Sequence, residues 1–112
     1  MIKMFEYNNL KIHWLGHDSF LIENSQLHIY IDPYQLAKND LPKADIIITS
    51  HEHSDHLNLE AINKITTEET HLIGPRITNE KLNTEIKTKK AVHELNPGEN
   101  LTIKDITLSA IP

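Results

Sequence analysis

Ile46-Ile47-Ile48 is a continuous apolar run bounded by Ala44-Asp45 and Thr49-Ser50. Side chains on a strand alternate between two faces, so a strand that is apolar at every position suits the centre of a sheet buried on both sides. The segments before it are different. Leu10, Ile12 and Trp14 alternate with polar neighbours, and Gly16-His17-Asp18 follows as a turn. Phe20 and Ile22 alternate with Ser19, Leu21 and Glu23. Leu27, Ile29 and Ile31 alternate again, with His28 and Tyr30 opposite, and end at Asp32-Pro33. Three short alternating runs split by turn residues predict antiparallel strands with one wetter face, and Trp14 is expected in the core.

After the isoleucine run, Leu59, Ile62 and Ile65 recur at helical spacing behind Asn58, a good N-cap, which predicts a helix of about two turns. His71-Leu72-Ile73 reads as a strand stopped by Gly74-Pro75. A polar stretch through Asn83 reads as a second short helix. Leu101-Thr102-Ile103 and Ile106-Thr107-Leu108 form a hairpin pair around Lys104-Asp105, after a turn at Pro97-Gly98. The expected fold is α/β (α+β): a strand meander, a β-helix-β unit and a hairpin, with a mostly antiparallel or mixed sheet and one or two short helices. At 112 residues the chain is expected to form one domain, 1–112.

Composition narrows the function. Lys plus Arg is 11 against 16 Asp plus Glu, a net charge of −5, which argues against nucleic-acid binding on a basic surface. Cysteine is absent, which removes disulfide scaffolds, thiol nucleophiles, cysteine zinc fingers and iron–sulfur clusters together. No apolar stretch approaches the ~18–20 residues of a membrane span, and the first ten residues lack a secretory apolar core, so a cytoplasmic protein is expected. The eight histidines, against three glycines, point to metal or acid–base chemistry.

Five of the six residues from His51 to His56 can donate to a metal or a proton, in the order His51-Glu52-His53-Ser54-Asp55-His56. Just past a strand, residues i and i+2 still share a side, so His51 and His53 can converge on one cation. Asp55 and His56 follow once the chain has turned and can reach a second cation. Imidazole and carboxylate suit one or two Zn2+ ions, or Mn2+, Fe2+ or another divalent metal, and not calcium. Two such metals about 3.5–4 Å apart can share a water and bring its pKa toward about 7. Chance alone would produce this HxHxDH pattern in roughly 2 of 1,000 chains of this composition, so a solvated His-rich turn is the weaker explanation.

The chain resembles the N-terminal half of the metallo-β-lactamase superfamily, within it the broad group similar to ascorbate-phosphate lactonase. The resemblance rests on Trp14-Leu15-Gly16-His17-Asp18-Ser19-Phe20, on Ile31-Asp32-Pro33-Tyr34, and on Ala44 through His56, with a weaker echo from Leu95 to Pro112. It implies one half of a four-layer αββα sandwich with metals at one edge of the sheets. It assigns His51 and His53 to the first metal, and Asp55 and His56 to the second. Asp55 is also the candidate catalytic residue, because in some relatives it handles a proton. Asp32 matches an aspartate that braces the ligand loop. Further His and Asp ligands of the family lie beyond the matched segment. The resemblance therefore implies a partial domain whose C-terminal half is absent and which is inactive alone.

His17 stands equally as a residue facing the site and as a turn histidine bonded to backbone. His13, His28, His71 and His93 are expected in surface or cross-strand packing. The leading function is a zinc-dependent hydrolase using a metal-activated hydroxide on an ester, lactone or phosphodiester of a small molecule. The alternative is a non-catalytic fragment, or a metal-binding half that needs a complementary chain or a second copy of itself. A nucleic-acid-processing relative is disfavoured by the acidic balance.

Overall fold

The computed structural model describes residues 3–7, 9–16, 19–24, 26–34, 41–50 and 58–111. The three expected strands, β2 (Leu10–Gly16), β3 (Ser19–Asn24) and β4 (Leu27–Ile31), form a meander that a further strand, β1 (Lys3–Tyr7), opens, each antiparallel to the one before. The chain then switches to parallel pairing. Strands β5 (Ile46–Ile48), β6 (His71–Gly74) and β7 (Ala91–Glu94) add in order beside β4. Among the described residues the result is a seven-stranded mixed sheet in sequential order, with a separate hairpin of β8 (Asn100–Ile103) and β9 (Ile106–Ser109).

Parallel neighbours need crossover connections, and among the described residues two helices supply those from β5 to β6 and from β6 to β7. Helix α1 (Leu59–Ile65) links β5 to β6, and α2 (Arg76–Glu85) links β6 to β7. Asn58 caps α1 as its residue type predicts: its side-chain oxygen accepts from the Ala61 amide at 2.8 Å, a contact worth about 1 kcal/mol. Lys104 and Asp105 take φ of 49° and 67°, the backbone of a two-residue hairpin turn whose twist matches its strands.

The isoleucine run is buried on both faces. On one side Ile47 lies in register with Tyr30 and Leu72 and packs against Ala61, Ile62 and Ile65 of α1 and Leu82 of α2. On the other, Ile46 joins Ile29, Ile73 and Ile103, with Leu101, Ile106 and Leu108 of the hairpin around them. Helices cover one face of the parallel strands and the hairpin covers the other. No helix among the described residues is long and apolar enough to cross a membrane.

Two expectations about the meander fail for one reason. The predicted wetter face, carrying Tyr30, is the better buried one, because the helices cover it: Tyr30 and Leu21 are buried in their cluster. The Tyr30 hydroxyl donates to the Pro42 carbonyl at 2.6 Å, and burial, with the Glu23 charge, raises its pKa so that it stays a donor. The predicted core residue Trp14 is 40% exposed, beside Phe5 at 70% and Tyr7 at 68%. The hairpin packs on the part of that face around Ile22, Ile29 and Ile46. Strands β1 and β7 were not expected from the sequence pattern.

Candidate metal centre

The parallel strands β4 to β7 all point their C-terminal ends the same way, the edge at which open α/β sheets place ligands. At this edge lie Asp32, Ser50, Pro75 and Leu95, each just past the end of its strand. Gly16 and Ser19 reach it from the antiparallel side, through a bulge at the end of β2 where Gly16 takes a φ of 105°.

Asp32 is the most constrained residue there. It is buried, and its φ of 46° places it in the left-handed region, where Asp is among the few residue types tolerated. Its amide donates to the Ile48 carbonyl at 2.8 Å, which continues the β4–β5 pairing by one step. Its carbonyl accepts from the Ser19 hydroxyl at 2.6 Å. Its carboxylate accepts twice from one residue: Oδ1 from the Ser50 amide at 2.7 Å and Oδ2 from the Ser50 hydroxyl at 2.6 Å. Charge-assisted hydrogen bonds of this length are roughly twice as strong as neutral ones. On the other side of the strand, the Thr49 amide donates to the Ile73 carbonyl at 2.9 Å. The last two residues before His51 are therefore tied to β4 and β6 at once.

His17, His51, His53, Asp55 and His56 lie outside the described residues. Their flanking residues do not. Ser50, gripped by Asp32, directly precedes His51, and Gly16 directly precedes His17. Asn58, the cap of α1, follows two residues after His56. The sequence reading missed Ser50, whose only signal was its place between a buried Thr49 and His51.

The four other histidines are paired within the sheet, as cross-strand packing predicts. His13 Nε2 meets Glu23 at 2.5 Å, and Glu23 also faces His28 at 3.4 Å. His71 Nδ1 and His93 Nε2 are 2.9 Å apart, with rings stacked at 5.1 Å. Desolvation and then the neighbouring His93, Lys104 and Lys90 lower the pKa of His71. Among the described residues, no three His, Asp or Glu side chains converge to hold a metal.

Beside Ser50 a cavity of about 440 Å³ opens between the sheet and the hairpin. Ile48, Ile73, Leu95, Leu108 and Ile111 form much of its wall, and Ser50, which directly precedes His51 in the chain, also lines it.

Residues 11–112 match the beta-lactamase superfamily domain. The chain belongs to that family. A UPF0173 protein of Pyrococcus abyssi is 35% identical over 103 residues, which make up 90% of this chain and 47% of that protein. A UPF0173 metal-dependent hydrolase of Methanopyrus kandleri is 26% identical over 92% of this chain and 46% of its own length. A crystal structure from Parabacteroides distasonis, assigned as a metal-dependent hydrolase, matches with a TM-score of 0.81 and 29% identity, over all of this chain and 50% of that one. The chain thus spans about half the length of the relatives it matches. The mixed α+β fold, sheet-dominated with two helices, is the fold of that metallo-hydrolase relative over the half that aligns.

Proposed function

We propose that this chain is the metal-bearing part of a divalent-metal-dependent hydrolase acting in the cytoplasm on an ester, lactone or phosphodiester of a small molecule. His51, His53, Asp55 and His56 are the metal ligands in this reading, with zinc as the resident ion and Mn2+ or Fe2+ as alternatives. The observation that carries it is the double grip of the buried Asp32 carboxylate on Ser50. It fixes the take-off of the segment that begins with His51, and metal-binding imidazoles need such outer support to hold their orientation. Three imidazoles and a carboxylate in this spacing are a donor set that fits zinc. A bound metal would supply Lewis acidity and an acidic water. The chain's own residues position it: Asp32 through Ser50, and the capped start of α1 from the other side. Asp55 is the group proposed to take up and return a proton.

Four donors do not close two tetrahedral sites. The proposal is therefore that the 112 residues alone bind metal loosely and turn over little, with further ligands supplied from outside them. Zinc titration of the purified chain, monitored by calorimetry, tests the assignment. The parent is expected to bind, and a variant with His51, His53, Asp55 and His56 all changed to Ala is expected to lose the site. Equal zinc binding by the two would refute it.

A second reading, a half that requires a partner, is supported by the exposed aromatic residues Phe5, Tyr7 and Trp14 on one sheet face. Such side chains carry about 150–250 Å² each, and a contiguous apolar patch of a few hundred Å² marks an interaction surface. The partner proposed is a second copy of this chain, because two copies match the length of one relative. A dimer in sizing experiments, dissociated by Phe5→Ser with Tyr7→Ser, is expected. A monomeric parent would contradict it.

A further inference from the structure

The cavity beside Ser50 has a chemistry of its own. It lies between two layers that otherwise close on each other: Ile46 and Ile73 of the sheet against Ile103 of the hairpin. Toward the C-terminal edge of β5 and β6 the layers part, and about 440 Å³ opens between them. That volume falls in the range of small-molecule sites. Its described lining carries no Lys, Arg, His, Asp or Glu. Five large apolar side chains face it, and hydroxyls come from Thr49, Ser50 and Ser109. A phosphate or carboxylate placed inside would lose water and gain no cation, at a prohibitive cost. An alkyl or acyl chain would lose only unfavourable contact with water.

Ser50 is among the residues that line the cavity and directly precedes His51 in the chain, so a molecule lodged against Ile73 and Leu108 lies beside the residue from which the HxHxDH segment departs. We infer that the cavity is the acyl pocket of the site: it takes the uncharged aliphatic tail of the substrate and presents the ester, lactone or phosphodiester head at its mouth. The reaction at the head rests on the metal-hydrolase reading; the binding of the tail does not.

Straight-chain carboxylates from butyrate to octanoate are the probes, titrated by calorimetry into the purified chain with and without zinc. Affinity is expected to rise roughly fourfold for each added methylene, the value for burying a CH2 group. Ala110→Trp fills the pocket, and Ile111→Asp places a charge at its rim, where Ile111 is 86% exposed and its loss leaves the core intact. Either change is expected to flatten the dependence on chain length while the far-UV circular dichroism and zinc binding stay those of the parent. Tyr7→Ser, on the exposed aromatic face, is expected to leave the dependence unchanged. Affinity indifferent to chain length in the parent would overturn the inference. So would a length dependence that survives Ala110→Trp, or one that Tyr7→Ser abolishes, since the tail would then bind elsewhere. Zinc binding lost without loss of the length dependence would count against the metal assignment alone and leave the pocket standing.

Discussion

The two halves of the sheet solve the same problem differently. Strands β4 to β7 are parallel, with helices on one face and the hairpin on the other, and Ile46, Ile47, Leu72 and Ile73 within them are buried. Strands β1 to β3 are antiparallel; their helix-side face buries Leu21, and their opposite face leaves Phe5, Tyr7 and Trp14 open. The candidate site is anchored on the first kind of structure. Asp32 and Ser50 sit just past the ends of strands held from both sides, so their geometry is inherited from a packed core. The lesson is that a position at the end of a rigid double-covered sheet fixes the root of the segment that follows it. The open aromatic face belongs to a region covered on its helix side alone.

This contrast can be broken by mutation. Ile47→Ala removes a side chain packed between α1 and α2 and is expected to cost about 2–5 kcal/mol in chemical denaturation. A loss below about 1 kcal/mol would mean that the parallel half is not the stabilising unit.

A smaller effect comes from His71. Its pKa is lowered in the folded chain, so below the ordinary histidine value the unfolded chain binds the proton more readily than the folded one. Stability is therefore expected to fall as pH drops through about 6.5 and into the range below it. His71→Gln is expected to shed that part of the pH dependence in denaturation curves taken between pH 7.5 and 5. An unchanged slope would show that neither desolvation nor the neighbouring His93, Lys104 and Lys90 lowers the pKa of this ring.

The smallest effect is expected at the open face. Phe5→Ser removes a side chain exposed in the monomer and, at protein concentrations too low for dimers, is expected to change unfolding free energy by less than about 0.5 kcal/mol. A loss of 2 kcal/mol or more, on the order of a core substitution, would show that the face is closed within the single chain and erase the difference between the halves.

The sequence was most legible where one physical requirement dominated. Three isoleucines in a row demanded two covering layers, and both are present. Asn58 and the spacing of Leu59, Ile62 and Ile65 specified α1, and Lys104-Asp105 specified the hairpin turn. Alternation was a weaker guide. It correctly grouped Leu10, Ile12 and Trp14 on one face but carries no information about what covers that face. Strand β1 has no alternation of its own to read and exists by pairing Phe5 with Ile12. Strand β7 is four residues long and is defined by its pairing with β6. At the site, the spacing of His51, His53, Asp55 and His56 was visible in the chain. The bond from Asp32 to Ser50 was not, because it spans 18 residues and exists only once β4 and β5 lie side by side in parallel. The cavity was not visible either, since its walls come from three strands, β5, β6 and β9, and from the loops that follow them and β7.

Asp32 ties the two levels together, and Asp32→Asn tests that link most directly. The substitution keeps shape and removes the charge from the group that holds Ser50. With circular dichroism unchanged, zinc affinity measured by calorimetric competition is expected to fall about 10–100-fold, the usual consequence of losing an outer partner of a metal site. Zinc affinity equal to the parent's in a folded Asp32→Asn chain would contradict the account, and would leave Asp32 as no more than the residue that closes β4.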